Sequence, residues 1–126
     1  MKHFVIGICL LAILLGGAIW SVVALDRTAA SMEESLQSAW ERCLQDDLEG
    51  AILDTEKAQM VWERNHSLGA SLVDHERLEE IDRAFGDLLT YSRLADSQNY
   101  AQVCHDLMIQ VRAMAEAEKP YLSNFL

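Results

Sequence analysis

From Phe4 to Leu25 the chain carries no charged side chain, and Ser21 is the one hydroxyl in that stretch. As a helix rising ~1.5 Å per residue it reaches roughly 33 Å, enough to cross the ~30 Å hydrocarbon layer of a bilayer. Trp20 lies near one end, where an indole suits the membrane–water interface. Lys2 and the amino terminus precede the run and Arg27 follows it. The positive-inside tendency then expects the N-terminus in the cytoplasm and the rest of the chain, its C-terminus included, outside the cell membrane. A cleaved signal peptide is the competing reading, with Val22 and Ala24 at the −3 and −1 positions of a cleavage site. Signal h-regions run ~7–15 apolar residues, however, and this run is longer, which favours an uncleaved signal-anchor. Ile8 stands before Cys9 where a lipoprotein signal wants a small residue. Ala12/Gly16 and Gly17/Ser21 are small residues four apart, a spacing that lets two anchors approach and leaves self-association open.

The sequence therefore divides into an anchor over residues 1–25, a bundle over 26–120 and a C-terminal tail over 121–126. Beyond residue 25 the apolar spacing is helical. Leu25, Ala29, Met32, Leu36, Ala39 and Cys43 form an a/d seam widened by Trp40, so the anchor helix is expected to continue to about residue 44. Asp46 with Glu49 reads as a capping box for a second helix, with a stripe of Leu48, Ile52, Thr55, Ala58/Gln59 and Trp62. The break at 45–47 has neither Gly nor Pro, which leaves open that the two helices are continuous. Gly69 reads as a helix stop, and Ser71 with Asp74 as the cap of a third helix with stripe Leu78, Ile81, Phe85, Leu88/Leu89 and Ala95. Asp96 or Ser97 opens a fourth, along Tyr100, Val103/Cys104, Leu107/Met108, Val111 and Met114/Ala115, and Pro120 ends it. With short loops and lengths of roughly 20–25 residues each, these predict an all-α chain: a transmembrane helix followed by an antiparallel up-down bundle of four helices. That path returns the amphipathic tail Tyr121–Leu126 to the membrane surface, or else packs it on the bundle base.

Past residue 25 the chain has nine Lys/Arg against twenty Asp/Glu, a formal charge of −11. Such a surface repels phosphate backbones, so no nucleic-acid partner is expected. Cys43 and Cys104 are the two cysteines outside the apolar run. They read as buried free thiols or, in an oxidising compartment, as one bridge.

Three features occur together: Trp62, the run Asp74-His75-Glu76-Arg77-Leu78-Glu79-Glu80-Ile81-Asp82, and the terminal Ser123-Asn124-Phe125-Leu126. Behind a short N-terminal anchor, this pattern resembles the uncharacterised bacterial membrane-protein family called domain of unknown function 4363. The resemblance implies a small membrane-anchored helical protein and supplies no activity.

Candidate chemistry is sparse. His75 and Glu79 are four apart and share a helix face, two ligands short of a metal site; Glu79 paired with Arg83 is the plainer reading. Cys104 and His105 are adjacent and point ~100° apart on a helix, so they form no thiol–imidazole pair by themselves. The acidic clusters do not fit the EF-hand pattern, and no cofactor, metal or catalytic residue is expected. Trp62, His75, Glu79, Asn124 and Phe125 are the candidates for interaction. The expectation is a non-enzymatic accessory module of the bacterial cell envelope, held by residues 4–25 and touching another membrane protein. The alternatives are a small-molecule or metal-ion binding bundle acting with a partner and, last, an enzyme.

Overall fold

The computed structural model describes the side chains of residues 1–117 apart from Ser71, and carries its last helix to Phe125. Helix α1 spans Lys2–Leu44, α2 Leu48–Arg64, α3 His66–Leu72, α4 His75–Arg93 and α5 Ser97–Phe125. The apolar run and the first bundle helix are thus one unbroken helix of 43 residues. Leu25, Ala29, Met32, Leu36, Ala39 and Cys43 are all buried along one side of it. Spacings of three and four keep them on one face, which is why the sequence pattern translates directly into the core.

Pairings across the core fix the helix directions. Glu33 takes the Arg112 guanidinium at 2.7 Å, and the Trp40 and His105 rings lie 5.6 Å apart, so α1 and α5 run antiparallel. Arg42 meets Asp47 at 3.0 Å while Ser38 meets Asp54 at 2.7 Å, so α1 and α2 are antiparallel as well. The four long helices alternate in direction, as expected. The layout is unequal: α1 packs along both α2 and α5, α4 lies against α5, and α2 and α4 touch only sparsely.

Several local expectations are corrected. Asp47, not Asp46, caps α2, its Oδ1 accepting from the Gly50 amide at 3.0 Å. Asp46 is in the left-handed region at φ 59°, which ends α1 and rules out a continuous helix there. An aspartate tolerates that conformation better than most residues. Gly69 is no stop. It lies inside α3, buried, where an added Cβ would meet the Trp62 ring at 3.3 Å and Leu78 at 3.4 Å. The chain breaks instead at Asn65 and at the extended Val73. Helix α2 is consequently only 17 residues long, and α3 bridges it to α4. Asp74 precedes α4 without a side-chain cap bond. Ala95 does not extend the α4 stripe; it turns the chain at φ 53°. The start of the last helix at Ser97 is as expected, with Asp96 Oδ1 accepting from the Asn99 amide at 3.2 Å. Pro120 does not stop the last helix: α5 runs through it to Phe125, so residues 121–125 continue the helix and form no separate tail, and Ser71 lies inside α3, not at the start of α4.

One buried charge has no counterpart in the apolar pattern. Asp54 faces α1, where Ser38 Oγ donates to it at 2.7 Å and Arg42 Nε lies at 2.9 Å. A buried carboxylate is tolerable when it is paired and hydrogen-bonded, and Asp54 is both.

Candidate functional site: the open side of the bundle

Three edges of the helical square are closed, and the fourth, between α2 and α4, is open. Ile52, Thr55, Glu56 and Gln59 of α2 face Phe85, Leu88, Leu89 and Ser92 of α4 there, over a cavity of about 80 Å³ floored by Tyr100 of α5. The spacings 52, 55, 56, 59 and 85, 88, 89, 92 each make a single stripe of a helix, so each helix gives a continuous wall. Leu89 is 55% exposed at the rim.

The floor is polar at one point. Thr55 Oγ1 and Tyr100 Oη share a buried hydrogen bond, and the Thr55 hydroxyl also donates to the Ile52 carbonyl at 2.9 Å. Burial pushes the Tyr100 phenol well above its ordinary range, the Thr55 bond opposing it. In the same core Cys43 and Cys104 are buried and unbridged. Both thiols are held above the ordinary thiol range, chiefly by burial, with Asp47 adding to Cys43 and Cys43 adding to Cys104. Raised thiols are poor nucleophiles, because the thiolate is the reactive form. His105 packs against Trp40, not on Cys104.

At its α3 end the open side is drawn shut around Trp62. The indole Nε1 donates to Asp82 Oδ1 at 2.7 Å, and His66 Nε2 lies 3.5 Å from the other carboxylate oxygen. The His66 ring also meets the Trp62 ring edge-on at 5.7 Å. Asp82 thereby ties α2, α3 and α4 together. It escaped the sequence reading, although it falls seven residues after His75 on one face of the same helix; only the contact with Trp62 distinguishes it from its acidic neighbours. Trp62 itself is buried and cannot be an exposed contact residue.

The two other described candidates form a surface pair. His75 Nε2 stands 2.9 Å from Glu79 Oε1, both well exposed, so Glu79 pairs with His75 and not with Arg83. Among the described residues no group of three His, Cys, Asp or Glu side chains is placed to hold a metal ion. Asn124 and Phe125 fall in the last turn of α5, and their side chains lie outside the described ones.

An all-helical, acidic bundle continuous with one long apolar helix is the class of protein that this geometry defines. The family model described as Domain of unknown function (DUF4363) matches residues 19–125, and the chain belongs to that family. The match opens inside the apolar run and takes in every bundle helix. No curated protein and no solved structure matches the chain.

Proposed function

We propose that this chain is a single-pass membrane protein whose first helix anchors an extracytoplasmic acidic bundle, and that the bundle works as a non-enzymatic accessory module for another membrane protein. One observation carries the anchor. An 18-residue window of α1 has a mean hydropathy of 2.6, and only 6% of that window is buried. Phe4, Leu11, Leu14 and Trp20 are each more than 60% exposed. Leaving such side chains in water forfeits about 1.5–3 kcal/mol apiece, which a bilayer returns. The accessory role is supported by what the open side offers: an apolar rim of Ile52 and Leu89 over a cavity of about 80 Å³, against ~300–1,000 Å³ for pockets that enclose small molecules. The small-molecule reading keeps the wider cleft of about 340 Å³ between α4 and α5, lined by Glu80, Arg83, Asp87, Val103 and Asp106, and the metal reading keeps only His75 and Glu79.

Membrane extraction and surface labelling test the anchor together. In a chain with its own cysteines replaced, Gln98→Cys places one thiol on the exposed start of α5. The protein should stay with membranes at high pH, and an impermeant maleimide should label the thiol in intact cells. Release by alkaline wash would remove the anchor; labelling only after the membrane is breached would reverse the orientation.

A further inference from the structure

We propose that the open α2–α4 side of the bundle receives one helix of a partner protein, with an apolar stripe flanked by Lys and Arg. This rests on the accessory reading and gives it a site and a partner chemistry. Up-down bundles normally close all four edges, and here α2 and α4 pack sparsely where they should be neighbours. The gap is shut at the α3 end by Trp62 on Asp82, and open between Ile52–Gln59 and Phe85–Ser92. Each wall is two turns of helix, roughly 10 Å, the length over which a docked helix presents anchors at i, i+3/i+4 and i+7. The rim offered to it is apolar, from the half-buried Ile52 and the half-exposed Leu89, with Phe85 and Leu88 buried beneath it.

Charge selects the occupant. Glu56 lines the α2 wall, and Glu49 and Glu63, seven residues to either side, continue the same row, all three exposed. Across the gap Asp82 stands at one end and Arg93 at the other. The ridge is acidic within a domain of formal charge −11, so an approaching cationic helix is steered in and an acidic one is repelled.

The test uses the full chain in nanodiscs of zwitterionic lipid, with empty discs as blank and three labelled peptides as probes. One is an amphipathic Lys/Leu helix, one the same helix with Glu for Lys, and one a Lys/Leu scramble without a stripe. The Lys/Leu helix should bind, weaken as salt is raised, and lose about tenfold or more in affinity on Leu89→Glu and on Glu56→Lys, equivalent to about 1.4 kcal/mol or more. Both positions are exposed, so the folded state should be kept, as circular dichroism would verify. A photoreactive residue at Gln59 should crosslink the peptide and one at Ile109, exposed on α5, should not. Equal binding by the scramble, indifference to both substitutions, or equal crosslinking from Ile109 would reduce the effect to general attraction and overturn the proposal. Capture by the Glu peptide alone would overturn the charge rule. None of these outcomes bears on the anchor, which the alkaline wash decides separately.

Discussion

Thr55 and Tyr100 stand 45 residues apart in sequence and share one buried hydrogen bond, hydroxyl to hydroxyl, beneath the open side of the bundle. It is the polar fixture in an otherwise apolar floor, and it joins α5 to a helix whose main partner is α1. Each residue looks like an ordinary stripe position in sequence. Only the fold shows that their polar ends meet.

Removing one partner of that pair should cost more than removing both. Tyr100→Phe leaves the Thr55 hydroxyl its bond to the Ile52 carbonyl and takes away its second partner; Thr55→Val strands the phenol in the core. A buried polar group left unsatisfied costs about 1–3 kcal/mol, whereas replacing both groups with apolar ones of similar shape is close to neutral. Urea unfolding of the two single variants and the double variant should therefore show strong non-additivity, with Thr55→Val the worse single change.

Gly69 should be limited by space rather than by backbone conformation, since it sits in a helix. Gly69→Ala gains helix propensity worth up to about 1 kcal/mol, offset by tight contacts with Trp62 and Leu78. It should come out near neutral. Gly69→Val should destabilise by about 1–3 kcal/mol, because its extra carbons must displace the Trp62 ring. With Trp20 and Trp40 replaced by Phe, the fluorescence of Trp62 should shift to the red in the Val variant and stay put in the Ala variant.

Asp47 makes the turn between α1 and α2 sensitive to acid. Its bond from the Gly50 amide, and then the Arg42 guanidinium, hold its carboxyl below the usual range. A lowered carboxyl stabilises the fold above its unfolded-state value, and that contribution disappears as pH falls through the folded value. Asp47→Asn keeps a capping oxygen and loses the charge. Its melting temperature should be lower than the parent's at neutral pH, and the difference should shrink below the ordinary carboxylate range.

Cys43, Cys104 and Tyr100 give the opposite pH dependence. All three are held protonated in the fold beyond the range where the unfolded chain gives up its protons. As pH rises past the ordinary thiol range the unfolded state gains, and stability falls. Replacing both thiols by Ala should flatten that alkaline slope. In the native protein Cys43 and Cys104 should be alkylated only at the rate of unfolding.

The core was legible because its residues recur at three and four. Every seam residue from Leu25 to Cys43 is buried, as are Trp62, Ile81, Phe85, Cys104, Leu107 and Val111. What the pattern hid are choices between equals and contacts across the fold. Asp46 and Asp47 are adjacent and chemically identical, and one turns the chain while the other caps. Gly69 reads as a stop until Trp62 is seen resting on it. Asp54 interrupts a stripe for the sake of Ser38 and Arg42 on another helix. The open side was invisible for a further reason: periodicity says which face of a helix is apolar, but not how far apart two apolar faces stand.

The 43 residues of α1 run through the junction between apolar stretch and bundle without a hinge. At ~1.5 Å per residue that is a rod of roughly 65 Å. Seated in a bilayer, such a rod makes the bundle a rigid extension of its anchor. A tilt of ~20°, ordinary for a transmembrane helix, would swing the far turn sideways by on the order of 10 Å. Bilayer thickness and neighbouring helices would thus set where the acidic ridge points, as a mast fixes the bearing of whatever is bolted to it.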